Sequence, residues 1–181
     1  MYLAAVKPSP IVEHDHLDGP ADAPLTLIEY GDYECPHCVT AFPVLERVRE
    51  KFSGKLRFVF RHVPKSGQAF DKQAAEASEF AAEQGKFWPM HAQLFALSGR
   101  HDLEQLVSAA SAIGLDANAF RAALVERRYA ERVRELSIAA LHSGIIGTPT
   151  LFINGTRYEN RIEEPLLTAA LERALPPADA R

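Results

Sequence analysis

Cysteine is scarce in this chain, with two residues in 181, Cys35 and Cys38, three positions apart. A pair confined to one short motif excludes a disulfide framework that holds distant parts of a fold together. Basic excess is missing too. Twenty Lys and Arg stand against 24 Asp and Glu, a formal net charge of −4, so no basic field is available for nucleic acid or an anionic membrane surface. No apolar run approaches the ~20 residues that a spanning helix needs, which argues against membrane insertion. The opening MYLAAVKPSPIVEHDH has one lysine and no useful apolar stretch before Pro8 and Pro10, so it does not read as a secretory leader. The expectation is a cytoplasmic protein as written, or an extracytoplasmic one if a leader has been removed. Repeats and low-complexity tracts are absent as well. What is present is ordinary globular composition, 47% hydrophobic and 24% charged, enough to bury a core without staples.

Residues 1–24, rich in Pro, Asp and His, read as an irregular N-terminal arm. LTLIEY (25–30) is a short β-prone run, and LRFVFRHV (56–63) is a second. Between them Leu45, Val48 and Phe52 recur at helical spacing until SGK (53–55) stops the helix. Strand, helix, strand predicts a parallel βαβ unit. From residue 66 to 144 no strand is convincing. Ala77, Phe80 and Ala81 mark one helical face, FWPMHAQLFAL (87–97) a second helix, with Trp88 and Met90 as core, and Asp102 with Gln105 a capping-box start. Further faces (Phe120, Ala123, Leu124; Val133, Leu136, Ala140) end at Gly144. The charge runs ERVREK and ERRYAERVRE read as solvated helix faces. In TLFINGTRYEN the Asn-Gly pair signals a hairpin, and Pro165 falls in the first turn of a last helix. The division is therefore an arm (1–24), an α/β sheet domain (25–65 and 145–175) and an inserted all-helical block (66–144).

Cys35 and Cys38 lie at the first strand-to-helix junction. Three residues of helix bring their α-carbons to roughly 5–6 Å, within disulfide range. Cys35 sits at the helix N-terminus, where free N–H groups favour a thiolate, and Pro36 fits the first helical position. Cys38 lies one turn inside. The asymmetry predicts an exposed nucleophile at Cys35 and a buried resolving thiol at Cys38. A metal site needs four ligands, commonly two such pairs, and His37 is badly placed to share an ion with the cysteines. HDH (14–16) offers further ligands, but histidines in a polar arm are usually solvated. No metal and no cofactor are expected. Two inert buried thiols remain the plain alternative.

EYGDYECPHC, then KFWPMHAQLF within the helical block, then GTPTLFING before the closing hairpin, resemble the DsbA-like branch of the thioredoxin superfamily over residues 20–175. The resemblance implies a thioredoxin fold with an inserted helical subdomain and reversible dithiol–disulfide exchange. It implies a cis-proline at Pro149 facing the cysteines, with Thr148 offering its backbone to an extended substrate. It also tips Glu29, in an apolar strand six residues before Cys35, towards a buried carboxyl that relays protons to Cys38. His37 is expected to stabilise the Cys35 thiolate, by charge or by its backbone N–H. The implied partners are protein or peptide thiols and an unidentified redox recycling partner. CPHC leans towards an oxidant. A reductase or isomerase, or a non-enzymatic redox-regulated chaperone or metal-binding module, stays open, to be separated by metal content and thiol titration.

Overall fold

LTLIEYG and LRFVFRH form adjacent strands because both are apolar on both faces, the pattern of a sheet covered from two sides. A computed structural model describes residues 7–12, 15–64, 69–99 and 101–177. In it β2 (Leu25–Gly31) and β3 (Leu56–His62) pair in parallel, Leu25 opposite Leu56 and Gly31 opposite His62, with α1 (Pro36–Lys51) as the crossover. β4 (Thr150–Ile153) runs antiparallel on the other side of β2, and β5 (Thr156–Tyr158) closes a hairpin with it. Asn154 and Gly155 turn that hairpin at φ 47° and 80°, the left-handed pair that Asn-Gly supplies at least cost. Leu27, Phe58 and Phe60 face one hydrophobic core, and Ile28, Tyr30, Val59 and Phe152 the other.

The sheet order is β1-β3-β2-β4-β5. β1 (His16–Asp18) falls in the stretch expected to be irregular, and pairs antiparallel with the outer edge of β3. Three residues carry no period to read. Their order comes from the partner and from an anchor. The Arg61 guanidinium makes five hydrogen bonds: two to Asp15, one to the Tyr30 hydroxyl and one each to the carbonyls of Ser9 and Pro10. Every donor of the guanidinium is used. Both ends of the Arg61–Asp15 pair are buried, so deleting one partner would cost about 3–5 kcal/mol.

Among the described residues five helices lie between β3 and β4: α2 (Ala69–Glu83), α3 (Phe87–Ala96), α4 (Leu103–Ala112), α5 (Ala117–Val125) and α6 (Ala130–His142). The capping box at Asp102 and Gln105 is present in full. Met90 is fully buried, and Trp88 packs on the same core with its Nε1 donating to the Leu17 carbonyl at 3.0 Å. α7 (Glu164–Ala174) follows β5 and packs against α1. One charged residue departs from expectation. Arg49, in a run read as solvated, is tucked 4.6 Å over the rings of Phe58 and Trp88 while it pairs with Glu46 and Asp18. A guanidinium stacks on aromatic faces, which a pattern of charges along a helix cannot reveal.

Gly31 ends β2 where there is no room for a side chain. A Cβ there would stand 2.5 Å from the ring of Phe60, itself fully buried against Tyr33, His91 and Phe95, and 3.2 Å from Glu29 Oε1. Gly31→Ala is expected to destabilise the protein by about 1–3 kcal/mol through overpacking. Urea denaturation checks it; an unchanged midpoint would show that Phe60 yields freely.

Candidate active site

Chain direction at the C-terminal end of β2 is reversed by a tight turn. The Glu34 N–H donates to Asp32 Oδ1 at 3.0 Å and the Cys35 N–H to the Asp32 carbonyl at 3.1 Å. α1 then begins with Cys35 as its N-cap in extended conformation and Pro36 at the first helical position. Cys35 therefore stands over the free N–H groups of the helix, and Cys38 sits one turn in. Both are free thiols. Both are also buried, Cys38 completely and Cys35 to 4% exposed, so the expectation of an exposed Cys35 is corrected.

Its cover comes from far along the chain. The loop before β4 brings the Thr148 carbonyl to 3.3 Å from Cys35 Sγ, and the Thr148–Pro149 peptide is cis, as the resemblance implied. The Thr148 hydroxyl is buried with no hydrogen-bond partner. Cys35 is lowered to about 4, first by the hydrogen bond from Cys38 and then, against the cost of burial, by the Thr148 hydroxyl and the backbone N–H groups of Cys38 and His37. The His37 side chain is exposed, so of its two expected routes the backbone N–H is the one found. Cys38 moves the opposite way, pushed far up by the hydrogen bond it donates to Cys35, by burial and by the nearby charge of Glu29. The surroundings thus favour losing the first proton from Cys35 and keeping the one on Cys38.

Glu29 lies on β2 opposite Leu151 and is 1% exposed. Its Oε1 has no hydrogen-bond partner. Burial pushes its carboxyl up to about 8, only partly offset by the Arg49 cation. It is thus a carboxylic acid that titrates in the physiological range, which raises the Cys38 thiol and is itself raised by Cys35.

Sequence reading did not find Arg49 or Asp32, the groups that set the Glu29 field and the turn before Cys35. Nor did it find Tyr33, fully buried between Phe60 and Phe95, whose hydroxyl bonds His91 Nδ1 at 3.0 Å. An aromatic two residues before a helix start gives no signal of its own.

The thioredoxin family model matches residues 12–173 of this chain. Among solved structures, oxidised BdbD from Bacillus subtilis superposes with a TM-score of 0.84 at 25% identity, covering 94% of this chain and 98% of that one. Alpha-DsbA1 from Wolbachia pipientis superposes at 0.78 with 22% identity, over 91% and 92%, a likeness of fold. Among curated proteins, the Na(+)/H(+) antiporter NhaA 1 of Salinispora arenicola is 39% identical over 163 residues, 90% of this chain and 25% of that protein. The NhaA antiporter of Herminiimonas arsenicoxydans is 39% identical over 160 residues, 88% and 25%. This chain spans about a quarter of the length of those relatives, and among its described residues no helix is long and apolar enough to cross a membrane. Fold, the cysteine pair at the helix start and the family match agree, and the chain belongs to the thioredoxin family as a DsbA-like member.

Proposed function

We propose that the chain is a protein thiol–disulfide oxidoreductase that works as an oxidant on protein dithiols. The observation that carries this reading is the placement of the pair, with Cys35 as N-cap of α1 beside the Thr148 carbonyl at 3.3 Å and Cys38 one turn inside, an arrangement that lowers Cys35 to about 4. In the disulfide form a substrate thiolate attacks Cys35 Sγ. The Cys35–Cys38 bond breaks, a mixed disulfide forms, and Cys38 leaves and takes a proton, for which Glu29 is the nearby buried acid. The second substrate thiolate attacks the substrate sulfur, releasing Cys35 as thiolate. The substrate has lost two electrons to the cysteine pair. A recycling partner then withdraws them.

Direction follows from the leaving group. A thiolate stable at pH 7 leaves readily and makes the reduced state favourable. Between pH 4 and pH 7 this preference amounts to roughly 2–4 kcal/mol after allowance for solvent screening, or ~40–90 mV for a two-electron couple. An oxidant of this kind belongs in an oxidising compartment. Beside Thr148 an apolar cavity of ≈ 240 Å³, lined by Val63, Pro64, Leu141, Ile145 and Ile146, gives an extended substrate a place for one side chain. Equilibration with glutathione tests the direction. The expected potential lies above about −200 mV; a value near the −270 mV of a reducing dithiol would overturn the oxidant reading.

A further inference from the structure

Three side chains that sequence spacing keeps apart meet on the face of β1 and β3 that α2 covers. His16 lies opposite Phe60 on the edge strand, His62 two residues further along β3, and Glu79 on α2. His16 Nε2 stands 2.8 Å and His62 Nε2 3.2 Å from the same oxygen, Glu79 Oε1. All three ligand atoms fall within 4.8 Å of one another. His62 is completely buried, and the side chains of Glu79 and His16 are 8% and 11% exposed, so the group is enclosed but reached from the β1 edge. The imidazoles are held in place: His16 is stacked on Phe87 at 3.5 Å and 6°, and His62 packs edge-on to Phe60.

We infer that His16, His62 and Glu79 form a binding site for one divalent transition-metal ion of the Zn²⁺ class, which ties the N-terminal edge strand to β3 and α2. Two imidazole nitrogens and one carboxylate select such an ion over Ca²⁺ or Mg²⁺, which favour oxygen alone. Ligands at about 2.1 Å in a tetrahedral shell stand about 3.4 Å from each other, so the observed 2.8 and 3.2 Å need only small adjustments. Ser78 Oγ, 3.1 Å from His62 Nε2, is the nearest neutral oxygen, and water completes the shell. Arg132 Nε stands 3.8 Å from the other carboxylate oxygen, Oε2. No ion is expected from the sequence, because the ligands lie at positions 16, 62 and 79, without a motif. His14, the other histidine of HDH, lies outside the described residues. The site shares no ligand with the cysteine pair, so it stands independently of the proposed activity.

The test is Co²⁺ titration of the full chain carrying Cys35→Ser and Cys38→Ser, which removes the competing thiolates. One equivalent should bind with visible d–d bands and be displaced by Zn²⁺. His16→Gln and Glu79→Gln should each lower the affinity by more than about 100-fold, beyond what loss of an outer partner costs. A measurement that needs no change in the ligands accompanies it: proton NMR of the Co²⁺ form should show hyperfine-shifted N–H signals from two imidazoles. No stoichiometric binding, affinity unchanged in both variants, or signals from fewer than two imidazoles would each overturn the site.

Discussion

Between pH 4 and pH 8.5 the unfolding free energy of the dithiol form will climb relative to that of the disulfide form, by about 3 kcal/mol. The sign follows from proton counting. Folding lowers the Cys35 thiol to about 4 from the ~8.5 of a free cysteine, so in that window the unfolded chain binds more protons and stability rises with pH. The contribution is fully present above pH 8.5 and is lost as pH falls through 4. The undiscounted value is near 6 kcal/mol, and solvent at the mouth of the site screens about half of it. Glu29 works the other way. Its folded value near 8 lies above the unfolded one, so its contribution is present below pH 4.5 and is lost as pH rises through 8. Glu29→Gln should remove a similar contribution from both profiles and leave the difference that Cys35 sets between them. Urea unfolding of both forms across this range gives the two curves. Parallel curves would mean that Cys35 is an ordinary thiol and would remove the physical basis of the oxidant reading.

Trapping experiments should give an almost all-or-none contrast. With Cys38→Ser, mixed disulfides on Cys35 should accumulate, because the attacking thiolate is present and the resolving thiol is gone. With Cys35→Ser they should not. Cys38 is completely buried, and burial and the neighbouring Glu29 keep its thiol raised when Cys35 is replaced, so little attacking thiolate is present at pH 7. The choice of serine matters. Cys38 is the first donor to the Cys35 sulfur, and a hydroxyl keeps a donor there, whereas Cys38→Ala should raise the Cys35 thiol and slow its reaction at pH 5. Non-reducing gels after exposure to oxidised glutathione or to an unfolded protein that carries a disulfide read the outcome. Equal trapping by both single serine variants would abolish the division of roles.

The cysteine pair, its strand-to-helix junction, the Asn-Gly hairpin and the capping box of α4 were legible because each is local: a few adjacent residues determine the geometry. Thr148 and Pro149 were reached only through resemblance, since TPT alone does not say what it faces. β1 was not legible, being three residues ordered by the edge of β3 and by Arg61. Nor was the cover over Cys35, which comes from a residue 113 positions away. Arg49 reads as one more surface charge until Phe58 and Trp88 are in place beneath it. Position along a chain tells which groups are available. Which of them meet, and which lose their water, is decided by packing.

The separation of 113 positions between Cys35 and Thr148 also imposes an order on biosynthesis. At about 5–20 residues per second, a nascent chain carries its reactive motif for roughly 6–20 s before the loop that covers it has been made. Over that interval β2 and β3 can pair and α1 can form, but the β4 side of the sheet is open and nothing stands over the sulfur. The wall that governs access to Cys35 is among the last parts to arrive, so the newborn protein meets small thiols and disulfides with a bare nucleophile.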